Sequence, residues 1–300
     1  MNNNRFTIIF YNYSLLIGKF YIIFLPKNII MQKLSTTDII SFVKSEGIEL
    51  IGVSPIKPLL TDSRYEKNVQ RICPNAKCVI VFGNIFPQSI LDACPENPRP
   101  ARFTLAALYS EGAEISIKIS RFLEKNGYRG VIIPAYLPVE MSYETLGLKG
   151  DLNLKHAAAE AGLGSRGISD LLITPNYGPR VRLFGVVTDA ELEPTPKDDK
   201  NYCSNCNICI KACPSGAISE SGCDPKLCSP YAMKNGLPQI LRFIYELEKE
   251  TSKEKIFKKL RSLEMWNFWQ ALSQGSFYEC FMCIQSCPVG KIKFNRVEHS

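Results

Sequence analysis

Two short stretches late in the chain, "CSNCNICIKACP" and "CFMCIQSCP", constrain its fold more than any other feature. The first places Cys203, Cys206, Cys209 and Cys213 at the spacing C-x2-C-x2-C-x3-C-P. Three thiolates on so tight a loop can each take one iron of a cubane, and the fourth is carried off toward a second cluster. The pattern therefore demands a partner, and Cys280, Cys283 and Cys287 supply it. By reciprocity, Cys287 completes the first cluster with Cys203, Cys206 and Cys209. The second then holds Cys213, Cys280, Cys283 and one more thiolate from the intervening loop. There "SGCDPKLCSP" offers Cys223 and Cys228, and spacing alone does not choose between them. Four-cysteine zinc sites prefer two separated C-x2-C pairs around one ion. The crowding here points to two [4Fe–4S] clusters instead.

The chain has twelve cysteines in 300 residues, clustered late, which suits metal ligation in a reducing, cytoplasmic setting better than a secreted disulfide scaffold. Cys73, Cys78 and Cys94 stand at no useful ligand spacing and read as free thiols. The two histidines, His156 and His299, are too few for a histidine-based metal site or a Ser-His-Asp arrangement. A net charge of +7 is moderate and reads as a solvated basic surface. It permits RNA or another acidic partner, and no DNA partner is expected.

Residues 1–30 are apolar and unlike the rest, with Asn12 and Lys19 interrupting the run. They read as translated upstream sequence, a membrane anchor or a structured extension, and a membrane partner is expected only if they are a real part of the protein. From 31 to 195 helical and strand-like patterns alternate, giving an α/β layer architecture. The polar, Pro-containing "ELEPTPKDDKNY" links this to a ferredoxin-like segment, 196–300, with little room for its own apolar core and a helical insertion at about 237–273. Its Lys253, Lys255, Lys258, Lys259 and Arg261 read as a solvated helix face. Gly162, Gly164 and Gly167 have the spacing G-x-G-x-x-G, but the order is helix, glycines, strand. A dinucleotide-binding loop needs the reverse.

Taken together, "NAKCVIVFG", "HAAAEAGLGSRGISDLLITPNYGPRVRLFGVVTDAELEP", "CSNCNICIKACPSGAI", "DPKLCSPYA" and "CFMCIQSCP" resemble the epoxyqueuosine reductase family, from about Met31 to Val289. These are cobalamin-dependent iron–sulfur enzymes related to reductive dehalogenases. The resemblance implies Cys228 as the missing ligand, because the family's cysteine follows an Asp by four residues, here Asp224. It implies a nitroreductase-like α+β sandwich that binds cobalamin, with Gly162, Gly164 and Gly167 letting backbone approach the corrin. A tight helix-to-strand turn is the plainer explanation of the same glycines. The chain departs from the family at its general acid: the corresponding position falls near Leu148, with no carboxylate. Glu140, Glu144 and Asp151 are candidate proton donors, with His156, Tyr136 and Tyr143 as further ones, and Asp151 also reads as a cap of the helix after it.

The function expected from these features is an iron–sulfur oxidoreductase. Two [4Fe–4S] clusters, fed by a donor such as ferredoxin or flavodoxin, would reduce a cobalamin and through it a substrate. Epoxyqueuosine in tRNA or another corrinoid protein are the substrates implied. The chain ends at Ser300 without the helical repeats that family members use around tRNA, which weakens the first. A non-catalytic ferredoxin-type carrier is the alternative.

Overall fold

The structure, a computed structural model, describes residues 33–140, 149–275 and 278–294. Its centre is the strand the sequence marks most strongly, "CVIVFGNI". In chain order the elements that build around it are α1 (Thr36–Ser45), β1 (Leu50–Pro55), α2 (Ser63–Ile72), β2 (Cys78–Ile85), α3 (Gln88–Asp92), α4 (Arg99–Lys125), β3 (Gly130–Ile133), α5 (Leu154–Glu160), β4 (Ser165–Arg166), β5 (Leu172–Ile173) and β6 (Val181–Thr188). Strands β1, β2, β6 and β3 form one antiparallel sheet in that order. Side chains alternate across a strand, and here both faces are covered, so β2 is apolar except for the buried Asn84. Ile80 and Phe82 pack with Phe184 and Val186 against Ile115, Ile119 and Leu123 of α4 and Ile39 and Val43 of α1. Val79, Val81 and Val187 face the other way, against Ala157 and Ala158 of α5 and Val69 of α2. A mixed α/β layer fold results.

One expected strand is smaller than its sequence suggests. Within "SDLLITP" only Leu172 and Ile173 are extended, and they pair with Ser165 and Arg166 in a separate two-stranded hairpin. The left-handed Asp170 on one side and the Thr174–Gly178 bridge on the other leave no length for more.

After the linker come α6 (Ile208–Ala212), β7 (Ile218–Ser219), β8 (Gly222–Cys223), α7 (Pro225–Ala232), α8 (Leu237–Glu248), α9 (Lys253–Leu260), α10 (Leu263–Gln274) and α11 (Met282–Gln285). The expected helical insertion is α8 to α10. The cysteine-rich segment solves its shortage of core by borrowing one. Phe281 and Ile284 are buried with Phe86, Leu91, Leu105 and Leu108 of the preceding half. Phe281 lies 5.6 Å from Phe86, ring centroid to centroid. Leu34–Ser300 accordingly packs as one compact unit, and the linker near residue 196 joins its halves without separating them. Among the described residues no helix is long and apolar enough to cross a membrane.

Candidate metal centre

The loop "CSNCNIC" owes its curl to two asparagines: Asn205 and Asn207 have φ of 52° and 59°, a left-handed conformation that Asn tolerates better than most residues. Turning the backbone twice within five residues brings Cys203, Cys206 and Cys209 to one side. These three, Cys283 and Cys287 line a cavity together with Ile168, Ile173 and Val289. Burial pushes the Cys287 thiol up, the Val289 amide opposes this, and the thiols of Cys206, Cys209 and Cys203 raise it further. Cys209 likewise faces Cys203 and Cys206.

The remaining late cysteines form a second group. Burial, then Cys280, Cys228 and Cys223, push the Cys283 thiol up to about 12. Burial, followed by Cys223, Cys280 and Cys213, raises Cys228 to about 11. Cys213 is the exception: despite the opposing effect of burial, the Ser215 hydroxyl and the amides of Ile218, Ser215 and Ala217 hold its thiol below the usual range. Such a cradle of donors favours a thiolate before any metal arrives, and donors on ligand sulfurs also tune an iron–sulfur centre.

Two short helices perform the crossing. Helix α6 starts at Cys209's group and ends at Cys213, in the other; α11 carries Cys283 in one group and leads to Cys287 in the other. The two helices pack together. Four residues of helix span roughly 6 Å, so each moves the chain from one group to its neighbour. Among the described residues no three His, Cys, Asp or Glu side chains converge as a single metal ion would require.

Cys73, Cys78 and Cys94 are buried, as free thiols would be. Spacing gave no hint, however, that Cys94 lies beside Cys280: burial first, then Cys280, raise its thiol.

The three glycines are packed by the chain itself, and Gly167 lies beside the Cys203 thiol. A side chain at Gly162, whose φ is +73°, would meet the Pro196 carbonyl, and one at Gly164 would meet the Ile173 carbonyl. One at Gly167 would stand 2.8 Å from Ile173 Cγ1 and 3.5 Å from Cys203 Sγ. The turn's tightness is thus accounted for by backbone meeting backbone and by a close approach to a thiol. Nearby, Lys155 and Arg166 both grip Asp170. Burial and then Arg166 push the Lys155 ammonium down to about 8, against the pull of Cys223. These three charged residues, and Arg182 beside Cys283 and Tyr278, carry no sequence motif and were not legible beforehand.

The candidate proton donors gather elsewhere. Glu140 lines a cleft with Arg64, Lys67, Asn68 and Arg71 of α2. Asp151 accepts from Asn68 Nδ2 at 3.4 Å, so both carboxylates belong to the α2 side. The helix cap expected of Asp151 is made by Asn153, which accepts from the His156 amide at 3.1 Å. The reason is register: the helix begins at Leu154, and a cap must immediately precede it. His156 Nε2 is 3.7 Å from Glu160. Tyr136 stacks on Tyr109 at 4.9 Å. Glu144, Tyr143 and His299 lie outside the described residues.

Residues 196–219, which include the first four of these cysteines, match the 4Fe-4S binding domain family. An epoxyqueuosine reductase from Listeria monocytogenes is 27% identical over 242 residues, covering 73% of this chain and 61% of its own. A tetrachloroethene reductive dehalogenase from Dehalobacter restrictus is 36% identical over 225 residues, covering 61% and 38%. The chain is related to both groups of enzymes. It spans about three-fifths of that epoxyqueuosine reductase and less of the dehalogenase. Solved structures of the same two kinds share the fold. An epoxyqueuosine reductase crystal structure aligns with a TM-score of 0.52 at 18% identity, over 85% of this chain and 65% of that one. A catabolic reductive dehalogenase in complex with 3-bromo-4-hydroxybenzoic acid aligns at 0.52 and 17%, over 84% and 38%.

Proposed function

We propose that the chain is an iron–sulfur oxidoreductase holding two [4Fe–4S] clusters, the first on Cys203, Cys206, Cys209 and Cys287. The second rests on Cys213, Cys280, Cys283 and a thiol of the α7 region, for which the family resemblance names Cys228. The observation that carries this reading is the crosswise grouping: Cys287 stands with the three thiols of the CSNCNIC loop, and Cys213 stands with Cys280 and Cys228. The donor chemistry fits an electron-rich cluster, because backbone amides and Ser215 point at the sulfurs.

When bound, the clusters supply one-electron transfer and a cobalamin supplies a strongly reducing centre. The 31–195 half is read as the nitroreductase-like body that receives the electrons. Cobalamin enters on likeness, one related structure being described as that of a B12-dependent dehalogenase. The glycine loop is not needed as its cradle, since its own backbone fills that space. What the chain's residues contribute is positioning: Phe281 and Ile284 seat the ligand segment in the first half's core, and Tyr278 shields the second thiol group. The substrate would be an electrophile such as the epoxide of a modified tRNA base, the kind of stem loop bound in one related structure, or a corrinoid protein.

Anaerobic reconstitution with iron and sulfide tests the reading. About eight irons and eight sulfides per chain are expected from two four-iron clusters, together with stoichiometric uptake of added hydroxocobalamin. Four irons would remove the two-cluster reading; colourless protein holding zinc would remove the whole proposal. Eight irons without cobalamin uptake would return the chain to the carrier class.

A further inference from the structure

The two cysteine segments carry an internal repeat: residues 209–216 read "CIKACPSG" and residues 283–290 read "CIQSCPVG". The backbone repeats with them. In each copy a short helix, α6 or α11, runs to a Cys-Pro step, and the glycine after it is left-handed, with φ of 64° at Gly216 and 66° at Gly290. Where two equivalent copies differ in side chain, the clusters they hold can differ in surroundings. Ala212 corresponds to Ser286, and Ser215 to Val289. Both serines fall to the second thiol group. The Ser215 hydroxyl lies 3.6 Å from Cys213 Sγ. Ser286 follows Cys283 by three residues and keeps helical backbone, with φ of −76° and ψ of −19°, so its side chain shares a helix face with that cysteine. Its Oγ is buried and has no hydrogen-bond partner among the described residues. A helical serine commonly turns back to the carbonyl four residues earlier, as Ser116 does to Gly112 at 2.8 Å. Ser286 does not, and leaving a buried hydroxyl unpaired is costly. The acceptor it calls for is a sulfur beside Cys283. At the equivalent places the first group has the Ala212 methyl and Val289, and Val289 lines its cavity.

We propose that the Ser286 and Ser215 hydroxyls donate to sulfurs of the second cluster and set its reduction potential above that of the first. A reduced cluster is more negative than an oxidised one, so donors on its sulfurs favour reduction. The first cluster, with apolar side chains at both equivalent positions, lacks that support. In transfer between the two, the first cluster loses one electron and the second gains it, with no proton moved and no iron–sulfur bond broken. An electron shared by the pair rests on the second cluster.

This inference rests on the two-cluster reading above, and iron content separates the two. Full-length protein is reconstituted anaerobically, assayed for iron, and titrated potentiometrically by electron paramagnetic resonance. The signal missing from Cys206→Ala identifies the first cluster. In wild type, with about eight irons, the second cluster should be reduced before the first. Ser286→Ala combined with Ser215→Val should make reduction of the second cluster at least tenfold less favourable, about 59 mV for one electron, while the first cluster keeps its midpoint and so reports an intact fold. Ala212→Ser, the converse change, should raise the midpoint of the first cluster. The proposal is overturned by a wild type of eight irons whose first cluster is reduced first, or by a double variant whose second midpoint stays put or moves together with the first. A first cluster that Ala212→Ser leaves unmoved overturns it too. Wild type with only four irons would sink the two-cluster reading itself, and this proposal with it.

Discussion

Arg102 and Glu279 form a buried ion pair: Nη1 lies 3.2 Å from Oε1, with the side chains 9% and 5% exposed. Glu279 immediately precedes Cys280, accepts from Asn235, pairs with Lys234 at 3.3 Å, and its amide donates to the Ala232 carbonyl at 2.7 Å. Helix α4, the end of α7 and the second ligand segment therefore meet at one carboxylate. Removing either partner of a buried pair typically costs about 3–5 kcal/mol, because the other charge is left uncompensated. Glu279→Ala should lower the urea midpoint accordingly and lose the second cluster before the first; Arg102→Ala should do the same. A midpoint within error of wild type would contradict this role.

Gly178 has a φ of +53°, and a side chain there would run into the Val289 carbonyl. The turn carrying Gly178 is the seat on which the backbone after Cys287 lies, and Arg180 reaches the Gly290 carbonyl from the same turn. Gly178→Ala costs about 1–2 kcal/mol for the left-handed backbone alone, and more for the collision. Iron loss should fall on the first cluster, read by its spectroscopic signal.

Gly164→Val separates the two explanations of the glycine loop. With the Ile173 carbonyl occupying the side-chain space, the variant should unfold at a lower temperature even without cofactors, and its first cluster should weaken. An apo-protein as stable as wild type that fails to take up cobalamin would restore the corrin-contact role.

Arg182 interacts with Cys283 and Tyr278, and its guanidinium carbon lies 5.7 Å from the Phe86 ring centroid. A cation beside a cluster favours the reduced, more negative form. Arg182→Gln should therefore lower the reduction potential of the second cluster and leave the first near its wild-type value, in a titration followed by electron paramagnetic resonance. Equal shifts in both would assign the effect to general loosening.

Cys78 is 2% exposed, its Sγ is 3.3 Å from the Ala190 carbonyl, and burial pushes its thiol up to about 11. The unfolded chain releases this proton first, from the ordinary thiol value of 9.0. The contribution to stability is thus fully present below pH 9 and is lost as pH rises toward 11. Cys78→Ala should flatten that part of the stability profile. In the native protein Cys78 should resist iodoacetamide at neutral pH, while the apo-form's Cys206, which is exposed, reacts.

Much of the fold was readable because the signals are local. β2 announces itself as an apolar run from Cys78 to Gly83, and α4 as a long amphipathic repeat ending in Lys-Asn-Gly. The boundary of α5 was less so: Asp151 and Asn153 are both good caps, and only the helix register picks Asn153. The hairpin at Leu172 looked like a full strand because two turns, set by Asp170 and Gly178, are invisible in hydrophobicity.

The sequence by itself determined the order and spacing of the cysteines, the 4Fe-4S binding motif they form and the sheet's apolar strands, since each depends on spacing along one chain. Only the tertiary structure decided that Phe281 and Ile284 borrow the first half's core, and that Cys94 comes near enough to Cys280 to feel its charge. Those are relations between segments distant along the chain. Burial and charge are set by what folds against a residue, which its neighbours in sequence do not encode.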